Sequence, residues 1–140
     1  MGTSVIMDIA KVLMLFALIA IGTANEKEKP VPYDPRCKSN RPPLQTRPCP
    51  HKSFVYVSYK RKCAWTCGKG SFETREECDG TCRTPVVCNW PYAPEHCSDP
   101  FPVYFFANST GRCHLDNGGC RYYGNHFPTQ KECQFTCKAG

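Results

Sequence analysis

Twelve cysteines lie between Cys37 and Cys137 of this 140-residue chain, and they form two successive sets of six. The first is Cys37, Cys49, Cys63, Cys67, Cys78 and Cys82; the second is Cys88, Cys97, Cys113, Cys120, Cys133 and Cys137. Each set closes on the same phrase, Phe72-Glu-Thr-Arg-Glu-Glu-Cys78 and Phe127-Pro-Thr-Gln-Lys-Glu-Cys133, with three residues before a last cysteine that follows a Thr (Thr81, Thr136). A repeat at this period means two copies of one small module. Each copy spans 46 or 50 residues. A core that small supplies at most about 3–5 kcal/mol and needs staples. Such a module offers rigid loops rather than a deep pocket, which argues for a binding surface and against an enzyme.

The first 24 residues read as an address. Lys11 carries a positive charge, Val12 to Gly22 are eleven apolar or small residues, and Gly22-Thr-Ala24 offers a cleavage point. This is the pattern of a secretory leader, and the apolar run is shorter than the roughly 20 residues a bilayer span needs. The expected product is a secreted, extracellular chain without a membrane span. In an oxidising compartment an even cysteine count means disulfides. Zinc on Cys63-x3-Cys67 and Cys78-x3-Cys82 is the competing chemistry, and the leader argues against it. No metal or other cofactor is expected.

Residues 25–36 (NEKEKPVPYDPR) mix charges and prolines without an apolar face and read as a flexible tail. Module one is 37–82, the linker 83–87, and module two 88–137. The local pattern in each is loop, hairpin, helix. Phe54–Tyr59 and Val103–Ala107 are β-prone, with Lys60-Arg61 and Asn108–Gly111 near the turns and Arg112–Leu115 returning. Helices are expected from Thr74 and Thr129, each followed three residues on by Glu (Glu77, Glu132), a capping box. Cys78 and Cys82, like Cys133 and Cys137, then share one helical face.

Module two resembles a Kunitz domain, the bovine pancreatic trypsin inhibitor-like family. That family's spacing is x8, x15, x7, x12, x3; module two reads x8, x15, x6, x12, x3. It also carries Tyr104-Phe105-Phe106, Gly118-Gly119-Cys120-Arg121 and Asn125-x-Phe127. Module one, at x11, x13, x3, x10, x3, looks like a degenerate relative without the paired glycines. The resemblance implies a small disulfide-rich α+β fold: two tandem Kunitz-type modules, each a twisted β-hairpin plus a C-terminal helix. Six cysteines allow 15 pairings. The resemblance implies Cys37–Cys82, Cys49–Cys67 and Cys63–Cys78, then Cys88–Cys137, Cys97–Cys120 and Cys113–Cys133. Two such modules in a small secreted basic chain look like tick salivary proteins that disturb host haemostasis.

Kunitz inhibitors present an extended loop whose residue after the second cysteine enters the protease's specificity pocket. A loop already ordered loses little entropy on docking. In module two the candidates are Cys97, Ser98, Asp99 and Pro100; in module one they are Pro50 and His51. Ser98 would leave the carboxylate of a trypsin-like pocket unpaired. An elastase-like pocket could accept it, but Asp99 would need desolvation beside the catalytic centre. Proline at position 50 fills no polar pocket. The leading expectation is a serine-protease inhibitor acting on an extracellular haemostatic or inflammatory host protease or its complex. The alternative is a non-inhibitory scaffold that binds an exosite, receptor, ion channel or sulfated glycan.

Charge is uneven. Module one carries nine basic against four acidic residues, or +5; module two carries three against four, or −1. The densest basic cluster is Lys60-Arg61-Lys62, whose default reading is a solvated turn and whose alternative is an anionic glycan or exosite. Nucleic acid is not expected as a partner, and the chain is expected to be a monomer. The four histidines (His51, His96, His114, His126) show no ligand spacing and read as surface residues. Trp65 and Trp90 read as packing. Asn108-Ser-Thr110 is an N-glycosylation sequon at the expected hairpin tip.

Overall fold

The computed structural model describes residues 31–39 and 41–139. The expected leader, its cleavage point and the start of the tail lie outside the described residues.

Alternation builds the first hairpin. In β1 (Lys52–Val57), Ser53, Val55 and Val57 are buried while the residues between them are half-buried or exposed. It pairs antiparallel with β2 (Lys62–Cys67), from Lys52 opposite Cys67 to Val57 opposite Lys62. The strand stops short of Tyr59 because Ser58–Arg61 form the turn, closed by the Lys60 N–H on the Val57 carbonyl and the Arg61 N–H on that of Ser58. Arg61 takes the left-handed conformation there, at φ 53°. In the second hairpin β3 (Phe101–Ala107) pairs with β4 (Arg112–Gly119), with a register shift between Phe101 and Val103. Both strands are longer than the sequence suggests, because Pro102 and the Gly118-Gly119 pair hide the strand signal.

The helices α1 (Arg75–Cys82) and α2 (Gln130–Cys137) start alike. Thr74 and Thr129 each accept the N–H of the Glu three residues on, at 3.1 Å, satisfying a donor that the first turn leaves orphaned. Each helix packs on its own hairpin through its first cysteine, fully buried in both cases. Cys78 bonds Cys63 on β2, and Cys133 bonds Cys113 on β4. The helix ends are tied by Cys37–Cys82 and Cys88–Cys137, and the loops by Cys49–Cys67 and Cys97–Cys120. Phe72 and Phe127 cap the two cores, each in an isolated bridge to its hairpin, with Phe54 and Tyr104 respectively.

Two segments outside the hairpins and helices, residues 31–36 and 83–87, are tied into the fold. Within the tail, Asp34 caps a short 3-10 helix (Pro35–Lys38), and Arg36 pairs with Asp34 at 2.9 Å. Tyr33 donates to Glu132 at 3.4 Å. The linker is not a tether. Arg83, Thr84 and Val87 are buried, and Pro85–Asn89 form a second 3-10 helix. The Thr84 hydroxyl donates to the buried Asp79 carboxylate at 2.7 Å. Arg83 ends α1 in the left-handed region, then crosses to the other half. Its Nε donates to Glu132 at 3.0 Å and its Nη1 to the Tyr122 carbonyl at 3.2 Å.

Close approach reinforces this joint. The Gly124 N–H donates to the Gly80 carbonyl at 2.8 Å. A Cβ on Gly80 would fall 2.3 Å from the Tyr123 ring, so a larger residue at this point of α1 would push that ring away from the joint. The halves are packed into each other along the sequence that joins them.

Candidate binding loops

In the C-terminal half the chain from Cys97 to Pro100 is exposed. Three ties hold it. The Cys97–Cys120 bridge crosses its base. Glu95, two residues before Cys97, accepts from Arg121 Nε, next to Cys120, at 3.0 Å. Phe101 pairs with Gly119 and packs against Tyr122, ring centres 4.8 Å apart. Gly119 must be glycine, since a Cβ there would meet Val103 at 2.4 Å. Ser98 and Asp99 therefore sit in the exposed part of an anchored loop.

A cluster that sequence reasoning missed lies beneath this loop. His126 is buried, not a surface residue. The Tyr104–Phe127 bridge draws its neighbour inward with it. Its Nδ1 faces Glu95 Oε2 at 4.0 Å; neither atom, nor the buried Tyr92 hydroxyl, has a hydrogen-bond partner. Tyr92 stacks on Phe105, centres 3.7 Å apart, and tilts against His126. Burial pushes the His126 imidazole below its ordinary range, and the Glu95 carboxylate opposes that shift. Only the burial of Phe127, legible from the Asn125-x-Phe127 motif, hinted at this.

The N-terminal loop is built differently. Pro50 and His51 are exposed beside the Cys49–Cys67 bridge. The longer segment before Cys49 is strapped along β2. The Leu44 N–H donates to Thr66 Oγ1 at 3.0 Å, its carbonyl accepts from the Cys67 N–H at 2.7 Å, and the Gln45 amide donates to the Trp65 carbonyl at 3.1 Å. His51 lies 3.9 Å from Glu73.

The Lys60-Arg61-Lys62 cluster is broken up by the fold. Lys60 and Lys62 are exposed, but Arg61 is turned into the junction. Arg61 donates to Thr136 at 2.9 Å and covers the Phe135 ring at 4.4 Å. The left-handed turn residue carries its side chain to α2, which the run of basic residues did not reveal. Asn108 is exposed in the β3–β4 turn. The twelve cysteines are all paired, and no cluster able to hold a metal occurs among the described residues. No helix among them is long and apolar enough to cross a membrane.

The fold and loop define a class: a hairpin and helix stapled by three bridges, presenting one anchored exposed loop. The sequence model of the Kunitz/Bovine pancreatic trypsin inhibitor domain matches residues 87–138. Mambaquaretin-4 of Dendroaspis viridis is 43% identical over 54 residues, 38% of this chain and 95% of that protein. Inter-alpha-trypsin inhibitor of Equus caballus is 40% identical over 72 residues, 50% of this chain and 58% of that one. The Actinia tenebrosa protease inhibitors are 33% identical over 98 residues, 60% of this chain but 34% of that protein. The chain belongs to the Kunitz/Bovine pancreatic trypsin inhibitor domain family, whose domains are inhibitors rather than enzymes. A solved structure of Ixolaris, from work on its interaction with Factor X, aligns at TM-score 0.35 and 19% identity over 69% of this chain and 90% of that one. A superposition this loose shows neither a shared arrangement nor a shared partner.

Proposed function

We propose that the chain is a secreted inhibitor of an extracellular serine protease, built from two Kunitz domains of which residues 37–82 form the divergent first. Residues 83–87 form the joint. The carrying observation is the exposed Cys97–Pro100 loop, tied at its base by a disulfide and by the Glu95–Arg121 ion pair. A loop held this way docks with little loss of entropy. Ser98 suits a small neutral pocket and leaves the carboxylate of a trypsin-like pocket unpaired. The target class is therefore an enzyme with a narrow primary pocket, among the haemostatic or inflammatory proteases of a host. Purified mature chain assayed against a panel of clotting, digestive and leukocyte proteases tests this. Inhibition of an elastase-like member with little effect on trypsin is expected. Nanomolar inhibition of trypsin would overturn the pocket assignment.

A second reading, a Kunitz scaffold that binds without inhibiting, is favoured by one residue. Asp99 places an exposed carboxylate where the catalytic centre of a bound protease would have to accept it. The double change Ser98→Lys with Asp99→Ala separates the two readings. New trypsin inhibition supports a loop of inhibitory shape, and an inert double variant favours the second reading.

A further inference from the structure

The N-terminal half holds most of the positive charge, and the fold decides which of it is free. Arg36 is paired with Asp34 and Glu77, Arg61 is held in the junction, and Arg83 is buried. The acids of this half are gathered at or just before α1. Glu77 pairs with Arg36, and Asp79 is buried against Thr84. The other basic residues of this half, Lys38, Arg41, Arg47, Lys52, Lys60, Lys62, Lys69 and Arg75, are exposed, and three of them flank the Cys49–Cys67 bridge. Arg47, Lys52 and Lys69 are all exposed, and His51 lies among them. All four stand within three residues of the Cys49–Cys67 bridge, whose Cα atoms are 5.6 Å apart. Lys52 pairs with Cys67 in the hairpin and the Gly68 N–H bonds the His51 carbonyl, so the bridge and the open end of the hairpin bring the segments carrying these groups side by side.

That surface is rigid where it matters. The Leu44 and Gln45 hydrogen bonds strap the segment before Arg47 to β2, and the Gly68 N–H on the His51 carbonyl, at 2.8 Å, fixes Lys69's approach. Lys52 lies over the half-buried Trp65 ring at 4.7 Å, which holds its stem along the hairpin. Glu73 faces His51 at 3.9 Å. Pro48, Pro50 and Gly68 stand beside the cations, and the one large exposed apolar side chain of the strap, Leu44, lies three residues before Arg47. Protein interfaces centre on buried aromatic or aliphatic anchors and are depleted of charge at their core. A sulfated polysaccharide presents repeated anionic groups along an extended chain and needs no such anchor.

We infer that the end of the N-terminal half around the Cys49–Cys67 bridge is a binding surface for a sulfated glycan, with Arg47, Lys52 and Lys69 as its contacts. The Lys60–Lys62 turn, which the sequence singles out, is not that surface. Arginine supplies a planar fork of donors to a sulfate, and the two lysines supply mobile point charges. Attraction of this kind falls as salt shortens the Debye length from about 30 Å at 0.01 M to about 8 Å at 0.15 M.

The test is salt elution of the mature full chain from immobilised heparin. Three proteins are compared: wild type, the triple variant Arg47→Ser, Lys52→Ser, Lys69→Ser, and the turn variant Lys60→Ala, Lys62→Ala. A single charge reversal, Arg47→Glu at an exposed position, guards against misfolding of the triple variant. Wild type is expected to elute above 0.15 M salt. The triple variant should bind roughly a hundredfold more weakly at that salt, with Arg47→Glu intermediate and the turn variant within about threefold of wild type. Elution of wild type below 0.15 M, or a turn variant weaker than the triple variant, overturns the proposal. Equal retention on immobilised polyglutamate also overturns it, because it would make an acidic protein the better partner.

Discussion

Opposite the loop bridge, the C-terminal half places Val103 and the N-terminal half places Ser53, both buried. The matching bridges of Phe54 with Phe72 and of Tyr104 with Phe127 make these positions equivalent. Val103 closes over Gly119 as an apolar plug. Ser53 donates to the Gly68 carbonyl at 2.6 Å, and Thr66 beside it holds the Leu44 strap. The exchange runs the other way two residues before each core phenylalanine. Asn125 accepts from the Phe106 N–H and donates to its carbonyl, both at 2.8 Å, and reaches the Trp90 carbonyl at 3.3 Å. Its counterpart is Gly70, where a Cβ would meet Ser53 Oγ at 2.6 Å. One covalent frame thus accommodates two internal chemistries. The bridges and helix caps set the architecture, and the filling is free to diverge behind them.

The largest test of that comparison is a reciprocal exchange. Asn125→Ala strands both backbone groups of Phe106 and should cost about 2–4 kcal/mol. Gly70→Asn should not install the missing strut. Its Cβ collides with the Ser53 and Phe54 positions, at an expected cost of about 1–3 kcal/mol. Urea or thermal melting reads both, and a Gly70→Asn chain as stable as wild type would break the comparison. Next, Arg83→Ala removes charged hydrogen bonds that join the halves and should cost about 1.5–3 kcal/mol. Near-UV circular dichroism should then show the two halves melting less cooperatively, whereas an unchanged single transition would mean the junction does not couple them.

The caps sharpen the comparison from the other side. Thr74→Ala and Thr129→Ala should each cost about 1 kcal/mol, and equally, because the two caps have the same geometry. Unequal losses would show that the frame is not shared at this point. The smallest effect concerns acid. His126 has a lowered affinity for protons in the fold, and its counterpart in the N-terminal half is Ser71, which does not titrate. The unfolded chain therefore binds the proton more readily. Stability is full above the ordinary imidazole value of 6.5 and is lost as pH falls through the folded value. Melting temperature against pH should slope downward below 6.5, and His126→Gln should flatten it. The slope is moderated by the facing Glu95 and Asp116 carboxylates.

Local signals were legible in the sequence, and signals that depend on the partner surface were not. Thr74 and Thr129 announce their helices because a cap needs only the next three residues. The hairpins were legible from Phe54–Tyr59 and Val103–Ala107, with ends displaced wherever a turn claimed Ser58 and Tyr59 or glycine carried a strand to position 119. The exposure of Ser98 was legible only through the family resemblance, which puts the residue after the second cysteine in a presented loop. The fates of Arg61, Arg83 and His126 do not follow from their neighbours in sequence. Each is a charged or titratable residue in a polar stretch, and each is taken inward by an element distant in the chain: α2 for the two arginines, β3 for the histidine. The cluster of Arg47, Lys52 and Lys69 is spread over 23 positions, and its segments come side by side only through the hairpin and the Cys49–Cys67 bridge.

The burial of Arg83 has a bearing on how the chain survives digestion. The joint Arg83-Thr-Pro-Val-Val87 contains a single basic residue. A trypsin-like enzyme cuts after such a residue only where the side chain can enter its pocket and the backbone can lie extended across its cleft. Arg83 offers neither, because its side chain is 3% exposed and its backbone is left-handed at φ 49°. Segments between domains are ordinarily where a chain is nicked first. Here the one residue such an enzyme would recognise is the residue that fastens the halves together, so the joint is closed to scission for as long as it is folded.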